Sequence, residues 1–403
     1  MQIRKAIAVG LFAVGVAGCG TTAPRASSHP SSVLDPTPAL SSSRPVGPVV
    51  GCSTATASAP TLGTAGTHFI FGPLTPFGVA TSSDSKYAFV ANASGALYLY
   101  ALSEAGLVSL RAGTFRNESL LGLAITPDGR YLVSAEGGGA TVFDVGRIEH
   151  EGSSPPSWIL GHFASKGDGA IEAAISPDGH YAFVTLESSA ELVVFNLQDA
   201  LAHGFHASDL VGYVPLGVAP VGMAIAPNGR HLYVTSEGST PNSDQGTLST
   251  IDLTRAEHRP SRALISVVSA GCSPVRVVAN GDSVYVTARG SNALLSFSAD
   301  SLVSDPAAAL RGQVLVGEAP VGVALVNHDR TLVVADSNRF ADAGIGANLA
   351  IITVAGSGQL SLAGYAESGR FPRDMAVSPD GVLLLVSNFG SSQVEAIDVT
   401  SLP

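Results

Sequence analysis

Glu172, Arg276 and Asp374 stand at one place in a recurring stretch of this chain where the other copies carry glycine: Gly78, Gly122, Gly222 and Gly322. An acid beside an arginine is a pairing with chemistry in it. The carboxylate can take a proton from water, and the guanidinium can hold the oxyanion that forms as water adds to an acyl carbon. A second equivalent place, at the end of the next apolar run, reads Asn92, Glu136, Glu187, Glu237, Arg289, Asp336 and Asn388. Four carboxylates, two amides and one arginine at one repeat position are a concentration, because only 13% of the residues are charged.

The repeat positions these groups. Each copy runs from a proline or aliphatic residue through an Ala-containing step and a Ser-Pro-Asp-Gly-like turn into an apolar run, then a polar corner and another apolar run. Copies start at Pro76, Leu120, Ala170, Pro220, Pro274, Pro320 and Pro372. Pro-Asp-Gly suits a tight turn, because proline pre-sets φ, aspartate caps locally and glycine takes the left-handed position. Runs such as "YAFV", "HLYV" and "LLLV" have strand length and composition, and being apolar throughout they predict sheets covered on both faces. A fourth strand precedes the next copy, as in "VGYVPLG" and "ALISVVS". Four strands per copy, repeated seven times, describe an all-β, seven-bladed β-propeller of four-stranded antiparallel blades. The last copy ends at "VEAIDV" without a fourth strand. "THFIFGPL", Thr67 to Leu74, has that strand's character and is expected to complete the seventh blade, closing the ring.

The sequence keeps three readings of the charged positions open. In the first, the acids pair with Arg276, Arg289, Arg339 and Arg373 as the structural lining of a solvated funnel. In the second, they bind a small polar or charged ligand, with an oxygen-ligated cation such as Ca²⁺ as the cofactor such acids accept. In the third, Glu172, Arg276 and Asp374 hydrolyse an ester, while Glu136, Glu187, Glu237, Arg289, Asp336, Arg339, Arg373 and Asn388 contact the ligand. No histidine stands at either ring position, and no G-x-S-x-G element supplies a nucleophilic serine.

The N-terminus reads as an address. Arg4 and Lys5, an apolar run from Ala6 to Val16 and then "AGC" predict a signal peptide over 1–18. "VAGC" resembles the bacterial lipobox, which makes Cys19 the lipidated first residue of an exported, envelope-anchored protein. A Ser- and Pro-rich linker over 19–60 would tether a propeller domain over 61–403. Cys52 and Cys272 are then the thiols left, and an exported chain has an oxidising setting in which to pair them or leave them apart. The net charge of −11, without a basic cluster, argues against a nucleic-acid partner. The expected partner is a small polar ligand or an envelope protein, met by a monomer.

"SPDG" followed by "LYVT" or "FVAN", then "IDL" or "FDV", resembles the YVTN repeat of the YncE-like, lactonase-like seven-bladed propellers, over about Thr67 to Val399. "FPRDMAVSPDGVLLLVSN" is similar to a segment of the 6-phosphogluconolactonase-type branch. The resemblance implies the propeller fold and, as alternatives, a binding or scaffold role at the funnel face or hydrolysis of a lactone.

Overall fold

A computed structural model describes residues 44–403, apart from 64–66, 73–74, 104–105, 116–118, 151, 340–347 and 356–357. The expected signal peptide, Cys19 and the first half of the expected tether lie outside the described residues.

Seven four-stranded antiparallel sheets follow one another. Blades 1 to 6 span 76–114, 123–163, 170–215, 218–272, 274–315 and 320–367. Blade 7 combines Pro372–Val377, Leu383–Asn388 and Gln393–Asp398 with His68–Phe71 as its outer strand. The ring closes through this strand, as the last copy's missing fourth strand predicts. His68 pairs with Ala396 and Ile70 with Val394.

The apolar runs form the second and third strands of each blade and are almost wholly buried, for example Tyr181–Leu186 and Thr331–Asp336. Their side chains interlock between neighbouring blades. One cluster joins Val184 and Phe195 to Val133 and Val142, and another joins Val333 and Ile351 to Leu384 and Val386. The turns behave as their sequence requires. Asp178 accepts from the Ser176 hydroxyl at 2.5 Å and the His180 amide at 3.0 Å, and Gly179 is left-handed at φ 77°.

The tether expectation needs correction over its second half. Residues 44–62 lie along the propeller. Val46 bridges Val268 in parallel, the Ser53 amide donates to Gly290 O at 3.0 Å, and the Ala57 amide donates to Val316 O at 2.9 Å. Thr61 bridges Tyr365, whose amide reaches Pro60 O at 2.9 Å. The segment is held by backbone pairing, to which its short polar side chains are indifferent, so composition alone read it as free. Cys52 and Cys272 are joined in a disulfide across 220 residues. Closing a loop of that length stabilises a fold by roughly 5 kcal/mol in a chain-entropy account.

Candidate functional site

The inner strands meet at the ring's axis, and the glycine default there has a steric cause. A Cβ on Gly78 would lie 2.2 Å from Leu121 O, and one on Gly222 would lie 2.1 Å from Val275 O. The residues one step earlier form an apolar plug, in which Val221, Val275 and Val321 are buried with Ile171 and Phe371 against them.

The three departures from glycine converge. Arg276 Nη2 lies 3.0 Å from Glu172 Oε2, and its Nε lies 3.6 Å from Asp374 Oδ1. Arg276 Nη1 also donates to Val221 O at 3.0 Å, and Asp374 Oδ2 accepts from the Val79 amide at 3.0 Å. One guanidinium thus links blades 3, 4, 5 and 7, and Asp374 passes the link to blade 1. Burial pushes the Glu172 carboxyl up to about 7; Arg276 opposes that shift and Asp374 adds to it. Burial works against the Arg276 charge, but Glu172 and Asp374 together hold its pKa above the usual value.

Arg373 is the one charged member of the apolar plug. Its guanidinium lies 3.7 Å from the centre of the Phe77 ring, with Phe371 at 5.7 Å and Phe389 at 5.9 Å. Stacking on aromatic faces suits a weakly hydrated, planar cation. Among the described residues its side chain makes no ion pair or hydrogen bond, and its Nε is a buried donor without a partner. Burial first, then Arg276 and Arg339, lower its pKa to about 9. Phe371 is left-handed at φ 51°, as are Ala219, Ser273 and Ala319 before the equivalent prolines. Such backbone is costly for non-glycine residues. It recurs where the chain turns inward to the axis.

The second expected position is two: the strand register sets Asn92, Asp336 and Asn388 opposite the first residue of their copies, and Glu187, Glu237 and Arg289 one residue further on. Arg289 Nη2 lies 2.8 Å from Glu237 Oε2. Glu187 is raised by burial and by Glu237, while Arg373, Arg289 and Arg339 pull it back. Arg339 lies over the Phe371 ring at 5.2 Å. These groups share one electrostatic neighbourhood with Arg373. The others stand apart within their blades. Glu136 accepts from the Thr141 hydroxyl, with His162 Nδ1 at 3.9 Å. Asp336 is fully buried, accepts from the Gly317 amide at 3.0 Å, and is raised well above the carboxylate range by burial. Asn388 donates to Glu395 Oε2 at 3.0 Å. No three His, Cys, Asp or Glu side chains among the described residues gather as a metal-binding set.

Sequence reasoning missed His162, Glu395 and the aromatic bed of Arg373. Phe371 and Phe389 stand in plain view beside "PRD" and "SN", but only the fold brings Phe77 from the other end of the ring. It also missed a recurrent hydroxyl. Thr235 accepts from the Gly222 amide at 3.1 Å and donates to Val275 O of the next blade at 2.7 Å. Thr287 and Ser387 repeat this toward Val321 O and Phe77 O. The signal was the Thr or Ser within "YVTS", "YVTA" and "LVSN".

Seven antiparallel blades around a charged axis define a seven-bladed β-propeller. The family model described as "Lactonase, 7-bladed beta-propeller" matches residues 75–339 and 318–401, and the chain belongs to that family. No curated protein matches it by sequence. Among solved structures, a chain of Kuenenia stuttgartiensis hydrazine synthase is similar at 17% identity and TM-score 0.64, over 84% of this chain and 99% of that one. A chain of the mitotic checkpoint complex is similar at 14% identity and TM-score 0.65, over 85% and 97%. The Myceliophteria thermophila Cps50 (Swd1) β-propeller domain is similar at 14% identity and TM-score 0.60, over 82% and 98%. At these identities the likeness is one of fold.

Proposed function

We propose that this propeller is an exported binding protein whose funnel takes a small anionic ligand on Arg373. The observation that carries the reading is the Arg373 guanidinium itself, stacked on Phe77 with no ion pair or hydrogen bond among the described residues. A carboxylate or phosphate would supply the missing acceptors bidentately, in a setting where a charge-assisted bond is strong. Phe371 and Phe389 would flank its apolar part, and Arg339, Arg289 and Glu187 would line the approach. The nearest acids, Glu172 and Asp374, are engaged with Arg276 and leave Arg373 its charge. Export and anchoring through Cys19 suit a chain that carries a disulfide.

Lactone hydrolysis is the second reading, favoured by family membership and by a Glu172 carboxyl held near 7, the range suited to a general base. There Glu172 would take a proton from water, and Arg276 or Arg373 would steady the oxyanion. Calorimetry with a panel of small carboxylates and sugar phosphates tests binding, and turnover of the matching lactones tests hydrolysis. Arg373→Gln should weaken anion binding at least tenfold while the protein stays folded. Unchanged affinity, or no anion bound by the parent protein, would refute the binding site. Hydrolysis lost in Glu172→Gln with binding retained would favour the second reading.

A further inference from the structure

The segment over 44–62 crosses blades 4, 5 and 6 as a strap, and its one covalent fastening is Cys52–Cys272. The two sulfurs differ in setting. Cys52 is exposed at the surface, whereas Cys272 is 1% exposed at the end of the outer strand Leu264–Cys272. Gln245 Nε2 lies 2.8 Å from Cys272 Sγ and 3.8 Å from Cys52 Sγ, so an amide donor is directed at the buried sulfur. None of residues 44–63 is buried; Val50 and Leu62 alone lean on the core clusters. Segments with few buried contacts are the first to open.

We propose that Cys52–Cys272 is a thiol-exchange site, and that its reduction releases the strap from the outer strands it pairs with. A thiolate can reach only Cys52 Sγ. Its attack forms a mixed disulfide on Cys52, breaks the Cys52–Cys272 bond and sends the electron pair to Cys272 Sγ. That sulfur leaves as a thiolate facing the Gln245 amide. A second thiolate then attacks the mixed disulfide, releasing Cys52 as a thiolate and the two reductant molecules as their own disulfide. Two electrons pass from two thiols to the cystine, and the two protons they lose end on Cys52 and Cys272.

The release reaches the funnel because the strap and the disulfide bracket one corner. Ser53 donates to Gly290 O at 3.0 Å, and the Cys272 amide donates to Ser291 Oγ at 2.9 Å. This corner, Arg289–Ser291, presents Arg289 to Glu237. Reduction removes the covalent tie beside it and frees the Gly290 carbonyl.

The full chain treated with limiting reduced glutathione and mapped by peptide mass spectrometry should carry glutathione on Cys52, with Cys272 as a free thiol. An adduct on Cys272 would overturn the assignment. Hydrogen exchange in excess dithiothreitol should accelerate at least tenfold at Ser53, Ala57, Leu62, Ser269 and Tyr365, with Val286 and Leu332 unchanged. Cys52→Ser should reproduce the pattern without reductant. Unchanged exchange at the strap would show it is held without the disulfide, and acceleration across all blades would show the bond supports the whole fold; either refutes a releasable strap. Gln245→Leu should slow reduction roughly threefold to fivefold, the worth of one modest hydrogen bond to the departing sulfur. An unaltered rate would remove Gln245 from the step.

Discussion

Arg276 and Glu172 stand 3.0 Å apart although they belong to blades 5 and 3. Blade 4 lies between them, and Arg276 holds that blade's Val221 carbonyl as well. A buried pair of this kind is weak evidence for stability in itself, but removing one member strands the others. Arg276→Met should therefore lower the unfolding free energy by about 3–5 kcal/mol. Adding Glu172→Gln and Asp374→Asn removes the stranded charge and should recover most of the loss. Urea unfolding of the three proteins decides it, and a single variant within about 1 kcal/mol of the parent would show that the axis tolerates the charge.

The pH dependence of stability follows from the same carboxyl. Glu172 is raised from 4.5 to about 7 in the folded protein. Between those values the folded state holds a proton that the unfolded chain releases, so the contribution is full below about 4.5 and is lost as pH rises through 7. Asp336 and Glu395 are also raised by burial and act in the same direction. Glu172→Gln should flatten the profile. From pH 5 to pH 8 the parent should lose on the order of 3 kcal/mol more than the variant. Parallel profiles would mean that Glu172 is already ionised at pH 5.

The propeller was legible because its signal is repeated. Seven turns at one place in the repeat, three of them Ser/Thr-Pro-Asp-Gly, and a strand missing at one end and spare at the other, leave little room for another fold. The inner ring was legible for the same reason, since Glu172, Arg276 and Asp374 interrupt a glycine whose cause is the crowded axis. The second position misled in part. Its seven residues straddle two adjacent strand positions, and neighbours along a strand point to opposite faces, so Asp336 turns to Gly317 and Asn388 to Glu395 while Arg289 meets Glu237. Arg373 stands out in the repeat, since other copies carry Val221, Val275 or Val321 there, but its meaning lies in Phe77, nearly three hundred residues away in sequence and adjacent in the ring.

Ser387 and Ser134 hold the same repeat position with opposite consequences. Ser387 donates to Phe77 O at 2.7 Å and accepts from the Asp374 amide at 3.1 Å, tying blade 7 to blade 1 where the ring closes. Ser134 is equally buried, but its hydroxyl has no partner among the described residues, because the Gly122 amide already reaches the Ile171 carbonyl at 2.9 Å. Ser387→Ala leaves a buried carbonyl and amide unsatisfied and should cost about 1–3 kcal/mol. Ser134→Ala removes an unpaired hydroxyl and should be neutral or stabilising. Thermal melts of the two variants side by side test this, and equal losses would refute the interblade role.

Glycine at the axis is required by contact, and one substitution shows it. Gly222 has a negative φ, so alanine there meets no conformational penalty. Its Cβ would nevertheless lie 2.1 Å from Val275 O, 2.8 Å from Thr235 Oγ1 and 2.9 Å from Arg276 Cα. Two of those atoms are backbone of the next blade, and the third is the hydroxyl that joins the two. Relief must separate blades 4 and 5 or break the Thr235 bond. Gly222→Ala should cost about 3 kcal/mol and disturb Arg276. Gly281 has nothing within 4 Å of a built Cβ and serves as the control. Gly281→Ala should leave the urea midpoint unchanged. If Gly222→Ala does the same, the blades have slack at the axis, and the glycine default needs another cause.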